Sequence, residues 1–179
     1  MSGARTLRTG RLLLCPVAYS DLADLQRLKG DPLVYAQMLG GVRQQGQVML
    51  ELAEDLSFWA RHGVGMWMVR GAESGAERGV AHGLVGLHER PDGRGIALRF
   101  AFTPQSRGRG LAREAAGAAL RYAHDRAAIG RVIAVAKESN FSSRLVLGAI
   151  GMQECDAFDR HGDPVLVYES LRARAFGEG

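Results

Sequence analysis

The stretch FTPQSRGRGLAREAAGAALRYA, residues 102–123, decides the fold. Two glycines, Gly108 and Gly110, stand among arginines just before a run of strong helix formers. Glycine weakens a helix interior, so the pair belongs to a turn. A strand ending at Thr103-Pro104, a turn over 105–110 and an abrupt helix start leave main-chain N–H groups without partners, all pointing away from the helix. Such a corner cradles an anion, typically phosphate. The helix dipole contributes about 0.3–1 kcal/mol toward a nearby negative charge, and Arg107 and Arg109 add direct contacts to phosphate oxygens. That sum suits a diphosphate. Two common nucleotide loops do not fit: GxxxxGK[ST] has no Lys-Ser or Lys-Thr pair here, and GxGxxG meets Arg113 at its third glycine. For the six turn residues alone, a helix start with solvated arginines is an equal reading.

Working outward, the helix after the turn places Leu111, Ala115, Ala118, Ala119 and Tyr122 on one narrow face of mostly small residues, suited to lying close on a sheet. Before the turn, HGLVGLHE, RPDGRG and IALRFAFT read as two strands joined by a tight hairpin. GMWMVRG is a further strand and AESGAERG a loop. Near the amino terminus, RTGRLLLCPV reads as an opening strand. Ser20 is then an N-cap with Leu22, Leu25 and Leu28 at helical spacing, and Gly30-Asp31-Pro32 is the stop. A second helix over about 44–61 aligns Val48, Leu52, Leu56 and Trp59. After residue 123, RVIAVAKES is a buried strand, Asn140 opens a short helix ended by Gly151, and QECDAFDRHGDPVLVYESL closes as a hairpin. The order is strand, helix, helix, three strands, helix, strand, helix, two strands. It describes a single mixed α/β domain over 1–179.

Bulk composition narrows the partners. At 179 residues, with 46% apolar and 23% charged positions, the chain suits one ordinary domain with a core. No apolar run reaches the roughly 20 residues that cross a bilayer, and MSGARTLRTGRLLLCPV is too short in apolar residues for a secretory core, so a cytoplasmic location and no membrane partner are expected. Cys15 and Cys155 are too few for a disulfide framework and lack metal-ligand spacing; both are expected as buried apolar fillers, and no metal is expected. The net charge of +4 raises nucleic acid as a partner, but the arginines are scattered without aromatic interleaving, which argues against it.

With its flanks, QSRGRG (105–110) matches the Q/RxxGxG/A signature of the GNAT superfamily of N-acetyltransferases, whose turn binds the pyrophosphate of coenzyme A. The strand before it, the helix and strand after it and the Asn-initiated helix ending in GM extend the resemblance. TGRLLLCPV, DLADLQRLKGDP, GVGMWMV and GLVGL resemble the RimJ/RimL branch, which acetylates amino-terminal amines of ribosomal proteins. The likeness spans nearly the whole chain. It implies a mixed, mostly antiparallel sheet splayed at a V-shaped cleft, flanked by about four helices. It also implies acetyl-CoA as cosubstrate and an amine acceptor, and it allows a homodimer.

Carried over residue by residue, the resemblance pairs main-chain groups of Phe100, Ala101 and Phe102 with pantetheine and sets Arg107, Gly108, Arg109, Gly110, Leu111 and Ala112 around the pyrophosphate. Asn140 matches the family asparagine at the pantetheine arm; it also reads as an N-cap, and both roles are compatible. A tyrosine often follows that asparagine by seven residues as the acid for the leaving thiolate, but Leu147 stands there. Ser143 matches a serine near the coenzyme sulfur in the RimJ/RimL branch and is the candidate donor; a hydroxyl bonded to its own helix is the equal alternative. The strand glutamate that takes the amine's proton is replaced by Ala97. If the hairpin centres on Pro91-Asp92, Gly86 opposes Ala97 and His88 projects on the same face as a substitute base, unless it is an ordinary surface residue at a strand end. Arg99 shares that face, to meet an acidic group of the acceptor or to form an internal ion pair.

The missing carboxylate constrains the acceptor. A lysine amine, pKa about 10.4, is neutral in only about one molecule in 2,500 at pH 7, a deficit of about 4.6 kcal/mol, whereas an α-amine near 7.7–8.0 forgoes about 1–1.4 kcal/mol. A protein or peptide amino terminus, or a small amine of low pKa, is therefore the expected acceptor. The same two departures, Ala97 and Leu147, also fit a catalytically silent acyl-CoA-binding or sensor domain on this scaffold.

Overall fold

Apolar runs separated by turns pair into one eight-stranded sheet in the computed structural model, which describes residues 5–72 and 78–173. In chain order the strands are β1 (Leu7–Arg8), β2 (Leu12–Pro16), β3 (Met66–Gly71), β4 (Ala81–Glu89), β5 (Ile96–Phe102), β6 (Arg131–Lys137), β7 (Gln153–Arg160) and β8 (Asp163–Leu171). The helices are α1 (Leu22–Gly30), α2 (Pro32–Tyr35), α3 (Gln45–His62), α4 (Leu111–Asp125) and α5 (Phe141–Ala149). Across the sheet the order is β1-β2-β3-β4-β5-β6-β8-β7. Every neighbouring pair is antiparallel except β5 with β6, which are parallel and registered at one pair, Ala97 with Ile133. Beyond that pair the two strands part. This is the V-shaped opening the resemblance implied.

Several local readings are corrected. The opening strand is a small hairpin, because the Thr9 N–H donates to the Leu12 carbonyl at 2.9 Å and folds β1 back on β2. Ser20 does not cap α1: it lies inside a 3-10 turn over Tyr19–Asp21, whose Asp21 carboxylate accepts from the Ala18 N–H at 2.9 Å. Gly30 does end α1, but Asp31 then caps a further helix, accepting from the Leu33 N–H at 2.9 Å. This makes five helices among the described residues, where about four were expected. In AESGAERG, residues 73–77 lie outside the described residues. Cys155 is exposed on the edge strand β7, so it is no core filler, while Cys15 is half-buried.

Alternation across the ladder assigns the faces. Trp67 opposes Val85 and Val85 opposes Phe100, so the Trp67 ring, edge-on to Tyr122 of α4 at 5.4 Å, marks the face covered by α4. Arg99 opposes Gly86, which opposes Met66, and therefore belongs to the other face, toward α1, α2 and α3. The narrow small-residue face expected of α4 proves wider: Leu111, Ala115, Ala116, Gly117, Ala118, Ala119, Leu120 and Ala123 are all buried, because α4 packs on the sheet and on α5 together.

Candidate active site

The glycine turn is built as the sequence required. Gly108 and Gly110 adopt φ of +71° and +75°, a left-handed conformation that side chains with a Cβ resist. Gly110 is the N-cap of α4 and has no side chain to cap with, so the first-turn N–H groups of α4 remain open to a ligand. Residues 107–110 are exposed. Neighbouring bonds hold the corner in place. Ser106, buried beneath it, meets His82 Nδ1 and Thr103 Oγ1, each at 2.8 Å. Glu114 accepts from Thr9 Oγ1 at 2.5 Å and from Arg11 Nε at 2.8 Å, and Arg11 Nη1 donates to the Arg109 carbonyl at 2.7 Å. Arg107 departs from its expected role: its guanidinium donates to the Leu33 carbonyl at 2.5 Å, turned toward α2.

The free edge of β5 follows from its register. Thr103 N–H donates to the His82 carbonyl at 2.9 Å, and ladder alternation then directs the main-chain groups of Ala101 toward Leu84 of β4 and those of Phe100 and Phe102 toward the gap beside β6. Phe100 and Phe102 thus offer a donor and acceptor row, unpaired among the described residues, to an extended ligand. Ala101 does not, since its N–H and C=O face β4.

At the inner end of the gap lies a cavity of about 220 Å³, lined among others by Phe100, His88, Arg99, Asn140, Ser143 and Leu147. Asn140 is the N-cap of α5: its Oδ1 accepts from the Ser143 N–H at 3.2 Å. Ser143 Oγ makes no hydrogen bond among the described residues, so the hydroxyl is not satisfied by its own helix. Leu147, 1% exposed, closes the wall where a tyrosine would have stood.

The hairpin register differs from the expected one by two residues: Gly86 opposes Arg99, and His88 opposes Ala97 directly. A shift of two preserves the face, and His88 does line the cavity. Burial, joined by the Arg99 cation, pushes its pKa down to about 3. The ring is neutral at neutral pH but binds a proton too weakly to take one efficiently from an amine; it suits a hydrogen-bond acceptor. Arg99 enters no ion pair within 4 Å among the described residues, and its Nε has no hydrogen-bond partner.

The sequence reading missed the groups across from Arg99. Asp55 of α3 is 4% exposed, and burial raises its pKa to about 6 against the opposing pull of Arg99 and Lys29. Glu51, one turn earlier, is also partly desolvated, but Lys29 Nζ at 2.5 Å and Arg43 Nε at 2.6 Å hold it down at about 2. The signal was available: Val48, Leu52, Asp55 and Trp59 recur at i, i+4, i+7 and i+11, which puts a carboxylate on the buried stripe of α3. Among the described residues, no group of three or more His, Cys, Asp or Glu could hold a metal. No described helix is long and apolar enough to cross a membrane.

Comparison with known proteins agrees with this geometry. An acetyltransferase from Agrobacterium tumefaciens superposes with a TM-score of 0.79 at 26% identity, covering 92% of this chain and 93% of that one. Spermidine N-acetyltransferase from Vibrio cholerae, solved with CoA and spermine, gives 0.73 at 16% identity over 92% and 97%. RimL, the ribosomal L7/L12 α-N-protein acetyltransferase solved with coenzyme A, gives 0.73 at 13% over 93% and 97%. At those last two identities the likeness is one of fold. No curated protein matches the chain by sequence. The family model for the acetyltransferase (GNAT) domain matches residues 11–153, the span that runs from β2 through the glycine turn and α5 to the start of β7. With the parted β5 and β6, the uncapped glycine corner and that match all in one chain, the protein belongs to the GNAT acetyltransferase family.

Proposed function

We propose that the chain moves an acetyl group from acetyl-CoA to a primary amine by direct attack on the thioester, in the manner of the RimJ/RimL branch. Its acceptor is the α-amine of a protein or peptide amino terminus, or a small amine of low pKa. The observation that carries this reading is the single registered pair between β5 and β6, Ala97 with Ile133, with the uncapped glycine corner at one end of the opening and a cavity lined by Ser143 and Asn140 at the other.

In this reading the main chain of Phe100 and Phe102 pairs with the pantetheine amides. The N–H groups from Gly108 to Ala112 hold the diphosphate, with Arg109 beside them. Asn140 keeps its cap with Oδ1 and turns its amide NH₂ to the pantetheine arm. Ser143 Oγ gives its proton to the departing thiolate. His88, neutral at the cavity wall, accepts a hydrogen bond from the acceptor, and Arg99 meets an oxygen of the acceptor. Ala97 leaves room but no carboxylate, which favours acceptors that reach the neutral state easily.

Release of free thiol from acetyl-CoA, followed across an amine panel at pH 7, tests the reading. A peptide with a free amino terminus or glycinamide is expected to exceed an Nα-blocked lysine amide in kcat/KM by about 100-fold or more, from the amine pKa difference. Tight acetyl-CoA binding with no amine-dependent thiol from any panel member would overturn it in favour of a silent acyl-CoA binder.

A further inference from the structure

Three buried polar atoms lack a hydrogen-bond partner among the described residues: Asp55 Oδ2 on α3, Arg99 Nε on β5 and Tyr35 Oη on α2. They are one electrostatic neighbourhood, since Asp55 and Tyr35 each act on Arg99 and Arg99 acts on both. A buried carboxylate left without a donor is costly, and a leucine on the same stripe of α3 would avoid the cost. The carboxylate is not sealed in the core. Asp55 lines a cavity of about 650 Å³ that shares His88, Arg90, Pro91 and Arg99 with the smaller cavity holding Ser143. The two cavities therefore meet at Arg99 and His88, with the thioester end on the β6 side and Asp55 on the helix side.

Resting on the amine-acetylation reading above, we propose that Asp55 receives the acceptor's ammonium group and accepts its proton. Glu51 is excluded from this task because Lys29 and Arg43 already occupy its oxygens and hold it at about 2. His88, at about 3, holds a proton more weakly than an ordinary aspartate does. Asp55 near 6 is the better match: an α-amine near 7.7–8.0 lies about 4 units above an ordinary aspartate but only about 2 above this one. Arg99 of β5, Lys29 of α1 and Glu51 and Glu54 of α3 act on Asp55, Asp55 in turn acts on Tyr35 of α2, and His88, Glu89 and Arg90 with Arg61 line the same cavity.

The step balances with these groups alone. The amine nitrogen bonds to the acetyl carbon as the carbon–sulfur bond breaks, and the sulfur leaves with the bonding pair and takes the Ser143 Oγ proton. Asp55 takes one proton from the ammonium before attack and the second from nitrogen after it, passing each to solvent; one of the two reprotonates Ser143 and the other is the net proton released.

The test compares Asp55→Asn with the unaltered chain, using glycinamide and a free-amino-terminus peptide with acetyl-CoA. Asn is expected to lower kcat by about 100-fold or more, the usual scale of general-base removal. Acetyl-CoA Kd by calorimetry is expected to stay within about two-fold and melting temperature to stay level or rise, which a structural role would not give. In the unaltered chain kcat falls as pH drops through about 6, and that inflection disappears in the variant. Asp55→Ala with added formate supplies a second arm: formate restores turnover if a carboxylate at this place is the proton acceptor. Turnover within about three-fold of normal with the inflection retained, or an inactive Ala variant that formate leaves unchanged, overturns the role of Asp55 while leaving the transferase reading intact. If the unaltered chain itself shows no amine-dependent thiol, both fall together.

Discussion

Asp55 and Ser143 are two residues with opposite relations to stability and activity. The folded chain holds the Asp55 proton more tightly than an unfolded chain would, about 6 against 3.8, so ionising it opposes folding. That penalty, on the order of 3 kcal/mol, is fully present above about pH 6 and is relieved as pH falls toward 4. Asp55→Asn is therefore expected to raise the melting temperature at pH 7.5 and to make little difference at pH 4, read by thermal denaturation at both. Ser143→Ala should leave the melt unchanged and reduce kcat far more than acetyl-CoA affinity; equal loss of both would make the hydroxyl a binding group. Of these two, only Ser143 was legible in the sequence, because it stands three residues after a helix-opening asparagine. Asp55 was hidden by the choice of Leu56 for the apolar stripe of α3, one residue beyond the i+7 position that carries the buried carboxylate.

Elements answer to backbone geometry more than to side chains. At Gly108 a Cβ would meet nothing within 4 Å, yet φ of +71° disfavours any other residue. Gly108→Val is expected to strain the corner by on the order of 1 kcal/mol, to leave the sheet folded and to abolish acetyl-CoA binding by calorimetry. Gly83 on β4 is the reverse case, since a Cβ there would come within 2.3 Å of the Ala101 carbonyl, a main-chain atom that cannot swing aside. Gly83→Ala is expected to cost several kcal/mol through displaced β5, seen as a sharp fall in melting temperature or loss of soluble protein. The strand-turn-helix corner, the hairpin β4–β5 and the closing hairpin were all readable from glycine placement and apolar periodicity. The two-residue offset in the β4–β5 register was not, because composition around RPDGRG fixes a turn without fixing its centre. Nor was α2: four residues that open on Pro32 carry no periodicity, and Asp31 reads as a stop before it reads as a cap.

For the molecule as a whole, charge burial beneath α1 and α3 sets the response to acid. Lys29, fully buried, depends on Glu51, whose carboxyl is held at about 2 against 4.5 in an unfolded chain. That contribution is complete above about pH 4.5 and is lost as pH falls through about 2, while Asp55 works in the other direction between about 6 and 4. From these two groups stability is expected to be greatest near pH 4–4.5 and to fall as pH drops on toward 2, and Glu51→Gln, which strands the Lys29 ammonium, should lower stability by about 3–5 kcal/mol at pH 7. The antiparallel order of the sheet, its parallel break and the corner at its mouth followed from the sequence and its resemblance; the network of Lys29, Glu51, Asp55 and Arg99 did not, because it joins three elements far apart in the chain. The lone registered pair between β5 and β6, Ala97 with Ile133, has one more consequence. With so little stitching, β6, β8 and β7 have only weak sheet attachment to the other five strands, and a thioester carrier lying in the seam would supply the missing rungs from its own amides. Deuterium uptake at the Phe100 and Phe102 amides should be rapid in the free protein and slow sharply once the carrier is added, as though an absent ninth strand had been lent for the length of one turnover.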